Sequence, residues 1–139
     1  MADPRTPHQV MVQILEARGI ETTKLSKKAA MYIHVLVGPT ARRVRTTRTR
    51  FGSVNAVFNE SFTFENVLLT PSEFRCEKVA VRVFDRNVAT RNSLVGACEA
   101  GLESIFHQHN HQLYKRWLPI YRPGIPCYHR GFVRVTMHV

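Results

Sequence analysis

A period of two narrows the fold more than any other feature of this chain. Val10, Val12 and Ile14 share one face with Gln13 on the other, and Ile33, Val35 and Val37 alternate with Tyr32, His34 and Leu36. Val79, Val81 and Val83 stand opposite Arg82 and Phe84, and Val133, Val135, Met137 and Val139 close the chain in the same rhythm. Successive side chains of a strand point to opposite faces, so this alternation describes half-buried sheet, and β-branched residues suit its pleat. Breakers separate the runs: Ala17-Arg18-Gly19, Gly38-Pro39, the polar stretch Arg86 to Ser93, and Pro123-Gly124 with Pro126. The resulting strands are His8–Leu15, Ala30–Val37, residues 41–50, Ser61–Phe64, Lys78–Asp85, Leu94–Ala100, Tyr114–Tyr121 and Phe132–Val139. The segment through Pro71 reads as a loop, and Glu103–Leu113 as one or two short helical turns. Pro119 cannot donate to a ladder and predicts a sheet edge for its strand. The sum is an all-β fold, an eight-stranded antiparallel β-sandwich. Residues 1–7, with two prolines and no periodicity, read as a loose tail, and 8–139 as a single domain. The final strand runs to the last residue, which points to a domain within a longer chain.

With 139 residues, 44% of them apolar, the chain can bury a core of ordinary size. Its charge is unusual. The net value is +10, and between Thr22 and Asn59 there are eight Lys or Arg and no Asp or Glu. Arg42, Arg43, Arg45, Arg48 and Arg50 crowd onto one strand-like run. The face assignment there predicts Thr47 and Thr49 inward, with Thr46, Arg48 and Arg50 outward. Like charges so close repel, and an anionic partner relieves that cost: phospholipid headgroups, nucleic acid or an acidic protein.

Other classes find little support. No apolar run approaches the ~20 residues that span a bilayer, and the N-terminus lacks the apolar core of a signal peptide. Cys76, Cys98 and Cys127 are odd in number and widely spaced, which predicts free thiols in a reducing, cytoplasmic compartment and no metal site. His107, His109 and His111 match no common zinc spacing. No serine or cysteine stands at a spacing that pairs it with a base, and no glycine-rich phosphate loop is present, so an enzyme is not expected. No cofactor is implied.

Four stretches carry a family resemblance: VQILEARGI at 12–20, AAMYIHVLVGP at 29–39, SVNAVFNESFTF at 53–64 and VAVRVFDRNVATRNSLVG at 79–96. They resemble a C2 domain, and LVGACEAGLESIFHQHNHQLYKRWLPIY looks more narrowly like the C2 domains of ferlins. The resemblance implies the permuted, type II strand order and a set of loops at one end of the sandwich. In calcium-dependent members, aspartates of two loops hold Ca²⁺, a hard cation that needs several anionic oxygens. Here Leu25, Ser26, Lys27, Lys28 and Ala30 occupy the first loop region, and only Asp85 survives of the last set, with Asn87 and Ser93 at the other positions. The expectation is no calcium site and a structural hydrogen bond or salt bridge for Asp85.

The resemblance also implies phosphoinositide contacts. Tyr32, Arg48 and Asn92 match the family positions, Phe84 fills an aromatic one, and His34, Leu36 and Thr46 replace lysines. The expected anion-binding set is therefore Tyr32, Arg42, Arg43, Arg45, Arg48, Arg50 and Asn92, with Lys24, Lys27 and Lys28 at the loop end. The expected function is calcium-independent binding of anionic phospholipid, with the domain peripheral at a membrane and targeting a larger protein there. The alternative is a scaffold C2 domain that docks protein without lipid. Nucleic acid is not expected, since no aromatic stacking platform accompanies the charge.

Overall fold

The computed structural model describes residues 4–21, 30–38, 43–51, 54–86, 94–122 and 124–139, without the side chains of 125–127. Nine strands lie among them: β1 (Thr6–Arg18), β2 (Ala30–Val37), β3 (Arg43–Thr46), β4 (Arg50–Phe51), β5 (Ala56–Leu69), β6 (Lys78–Asp85), β7 (Leu94–Gly101), β8 (Gln112–Arg122) and β9 (Ile125–His138). Two short helices, α1 (Pro71–Cys76) and α2 (Leu102–Phe106), precede β6 and follow β7, and a 3-10 turn spans His109–His111. All pairings are antiparallel, in the order β3-β2-β6-β7-β8-β9-β1-β5 with β4 attached to β2. The sheet folds over where β7 meets β8, a junction whose one register pair is Ala97 with Tyr121. One layer is thus β3-β2-β6-β7 and the other β8-β9-β1-β5. The first and last strands pair with each other inside the second layer, Val12 opposite Met137 and Ile14 opposite Val135, as the type II order requires.

The alternating residues fill the space between the layers. Val10, Val12, Ile14, Ile33, Val35, Val79, Val81, Val83, Val133, Val135 and Met137 are all buried, joined by Phe58, Phe62 and Phe64 from β5. Two bulges bend β5 where it crosses β1, between His8 and Val10 and between Ile14 and Glu16. Asn66 and Asn59 lie beside them with φ of 53° and 49°. Asparagine tolerates this left-handed backbone better than other non-glycine residues, which explains its presence in the middle of a strand.

Four expectations are corrected. The arginine run is two strands: Thr47–Thr49 leave the ladder between β3 and β4, so nine strands replace eight. The segment after Thr70 is a helix. Thr70 caps it, its hydroxyl accepting from the Glu73 amide at 3.1 Å while the Glu73 carboxylate accepts from the Thr70 amide at 2.9 Å, and Pro71 stands at the first turn, where its missing N–H costs nothing. Pro119 is not on an edge: β8 lies between β7 and β9. Proline is tolerated because β7 engages β8 only near Tyr121, which leaves the strand's other side open at Pro119. Finally, β1 begins at Thr6, two residues inside the supposed tail, and Arg5 pairs with Glu73 at 3.3 Å.

Candidate anion-binding surface

Register decides where the arginines of β3 point. Arg43 pairs with Val37 and Arg45 with Val35. Both partners are buried core residues, and directly opposed side chains share a face. Arg43 and Arg45 therefore leave β3 on its core side, at the open flank between the edge strands β3 and β5. Their guanidinium groups lie over the rings of Phe64 and Phe62, at 5.8 and 5.4 Å from the centroids. Arg43 also donates to the Glu65 carbonyl. Val44 and Thr46 take the outward side, opposite Leu36 and His34.

Thr47 then turns inward. It is 5% exposed, its amide donates to Ile33 O at 2.9 Å, and its hydroxyl accepts from the Ile33 amide at 2.9 Å. A threonine replaces one rung of the ladder with a side-chain bond. Arg48 is exposed, its amide held by the Glu60 carboxylate at 3.0 Å. Thr49 is half-buried and accepts from Arg86 Nε at 2.8 Å. Arg50, expected outward, is half-buried instead and donates to Phe58 O at 3.4 Å. It is drawn in because the break at Thr47–Thr49 resets which side β4 presents.

The outward face of the first layer carries an aromatic cluster. Tyr32 and Phe84 stack at 5.1 Å with 9° between their planes, and the His34 ring lies 4.6 Å from Phe84. Arg86 covers Tyr32 at 4.5 Å. Arg82 is exposed and directly opposite His34. Burial, then the positive charges of Arg82 and Arg86, lower the His34 pKa below the usual imidazole value. Arg82 also opens onto a shallow groove of about 570 Å³ shared with Leu94, Ala97, Glu99, Tyr121 and Arg122. At the end of this layer, Phe51 stands opposite Ala30 and is 78% exposed. Arg82, Arg86 and Phe51 were not singled out from sequence as contacts. Arg82 was legible as the outward residue between two buried valines; Arg86 and Phe51 gain their positions only from bonds to Thr49 and Ala30.

Ion pairs among the described residues include Arg5–Glu73, Arg18–Glu16, Lys78–Glu99 and His107–Glu103. None of these four engages the guanidinium groups of Arg43, Arg45, Arg48, Arg50, Arg82 or Arg86. Asp85 is 2% exposed and accepts from the Ala30 amide at 3.1 Å, closing the end of β2 onto β6. No group of three or more His, Cys, Asp or Glu capable of holding a metal occurs among the described residues. His111 instead stacks on Phe106 at 4.2 Å and bonds the Phe106 carbonyl through Nδ1. The expected contacts Lys24, Lys27, Lys28, Arg42 and Asn92 lie outside the described residues, as do Leu25, Asn87 and Ser93. No helix among the described residues is long and apolar enough to cross a membrane.

Comparison with known proteins gives the geometry a family. The C2 domain family profile matches residues 8–120. Ferlin 2 of Tetrahymena thermophila is 30% identical over 99% of this chain, and human myoferlin 27% identical over 94%. The chain spans only 8% and 6% of those two relatives. Among solved structures, the C2A domain of plant Extended Synaptotagmin 1 superposes with a TM-score of 0.70 at 15% identity, covering 94% of this chain and 92% of that one. The C2A and C2B domains of Extended-Synaptotagmin 2 give 0.72 at 12% identity, over 97% of this chain and 39% of theirs. The chain belongs to the C2 domain family and is ferlin-like.

Proposed function

We propose that this C2 domain docks on anionic phospholipid without calcium and targets a larger protein to the membrane. The observation that carries the reading is a set of guanidinium groups, Arg43, Arg45, Arg48, Arg82 and Arg86, gathered along one flank and one outward face, none of them taking part in the four ion pairs named above. Guanidinium forks suit phosphate oxygens, and each basic side chain near an anionic surface contributes about 1 kcal/mol. Exposed Phe51, opposite Ala30 at the layer's end, supplies an apolar contact. A phosphate group settling beside Arg82, His34 and Tyr32 is the finer form of the reading, with a phosphoinositide as its source. Calcium independence is supported by Asp85, a carboxylate already engaged by backbone.

Co-sedimentation with phosphatidylserine vesicles, with and without phosphoinositide, tests this in EGTA and in Ca²⁺. The expected result is pelleting that ignores EGTA and weakens with salt. Reversal of Arg48 and Arg86 to glutamate is expected to lower partitioning by at least about tenfold. Pelleting that requires Ca²⁺, or none at low salt, overturns the proposal.

A further inference from the structure

After Glu103 the chain holds no acidic residue, yet it carries Lys115, Arg116, Arg122, Arg130 and Arg134. Strands β8 and β9 arrange part of this segment into an outward ladder on the second layer. Trp117 stands opposite Arg134, and Pro119 opposite Phe132. The neighbouring pair Leu118 and Val133 takes the inner side, with Val133 wholly buried. Arg134 lies over the Trp117 ring at 5.7 Å, and His129 packs against Phe132 at 4.8 Å. On the adjoining strand β1, Arg18 is opposite Phe132 and Glu16 opposite Arg134. Glu16 is taken up by Arg18, at 3.1 Å. The ladder thus presents aromatic faces and guanidinium groups together, with its own carboxylate already paired.

We infer that the outward face of β8 and β9 is a docking surface for an acidic protein segment carrying aromatic side chains between its carboxylates. Tryptophan, tyrosine and arginine are the residues that concentrate binding energy at protein interfaces, and charged lysine and glutamate are depleted there. The ladder has that composition. Its sign selects an acidic partner, and its flat rings select one that can stack. A bilayer fits less well: Trp117 is 39% exposed and capped by Arg134, so its ring cannot project into lipid as an interfacial anchor does. The surface lies on the layer away from Arg82 and Tyr32 and stands independently of the membrane contact proposed above.

Trp117 is the chain's sole tryptophan and reports on this face directly. The intact chain is titrated with an acidic peptide of glutamates interrupted by phenylalanine, and separately with an all-glutamate peptide of equal length. The expected result is a saturable blue shift of Trp117 emission with reduced acrylamide quenching, stronger for the phenylalanine-bearing peptide. Arg134→Glu and, separately, Arg18→Glu, on the same outward face opposite Phe132, weaken binding at least about tenfold, while Arg82→Glu leaves it unchanged. The inference is overturned if both variants bind like wild type, or if the two peptides bind alike. It is also overturned if phosphatidylserine vesicles or oligothymidylate move the emission more than the peptide does.

Discussion

Arg43 and Arg45 on one side of the molecule, and Arg82 and Arg86 on another, are the same residue in two kinds of surroundings. The first pair leans across the gap between β3 and β5 and lies on rings that belong to the core. Phe62 and Phe64 are buried beneath them, so the arginine stems and planes close the flank of the sandwich while their charge faces water. The second pair stands on an outward face beside His34, and its field is felt there: both charges push the imidazole toward its neutral form. Density of arginine in sequence therefore does not measure availability to a ligand. Two scattered residues on β6 and its end act on the outward face, while two residues of the dense run serve the fold as well.

That contrast can be broken by substitution, and the largest effect is expected beneath the flank pair. Phe64→Ala empties a fully buried site, 1% exposed, and is expected to cost about 3–5 kcal/mol in urea denaturation. Because Arg43 also loses its platform, Arg43→Ala added to Phe64→Ala should cost less than it does alone, with a coupling of about 0.5–1 kcal/mol. Full additivity would mean that the ring contact contributes nothing. Next in size is the pair itself. Arg43→Ala with Arg45→Ala is expected to destabilise by about 1–2 kcal/mol through lost packing and the lost bond to Glu65. Arg82→Ala, on the outward face, is expected to stay within about 0.5 kcal/mol of wild type while reducing vesicle binding. Equal stability losses from the two faces would erase the distinction.

Much of the frame was legible because burial follows the period of two: Ala30–Val37 and Lys78–Asp85 have the predicted bounds, and Val79, Val81 and Val83 face inward. The short helix after Thr70 is also written in the chain, as the capping pattern Thr70-Pro71-Ser72-Glu73, but six residues are too few to show a helical period beside the long alternating runs. The arginine run was not legible. Its pattern has no clean apolar side, and the deciding facts are a register against Val35 and Val37 and a buried hydroxyl at Thr47, both set by β2. Charge patterning said that cations gather here; only the pairing says which of them look outward. The exposed Trp117 ladder is illegible for a related reason: Pro119 reads as a sheet edge, and only the register against β9 sets Trp117 opposite Arg134.

The smallest effect expected is also the one that joins stability to binding, and it rests on His34. Burial and the two arginines lower its pKa in the folded protein. As pH falls through the ordinary imidazole value toward the folded one, the unfolded chain takes up a proton that the native state refuses. Stability that is fully present above that ordinary value is therefore lost as acid is added through this window. An anion bound beside Arg82 and Arg86 reverses the local field and favours the imidazolium, so vesicle affinity should rise over the window in which stability falls. His34→Gln keeps a polar side chain without the titration and should flatten both slopes relative to wild type. Urea midpoints and vesicle partitioning measured from about pH 7 to about pH 5 supply the comparison. Opposite slopes that vanish together in the variant tie the lipid contact to the outward face, whereas a binding slope that survives His34→Gln moves the contact to the flank held by Arg43 and Arg45.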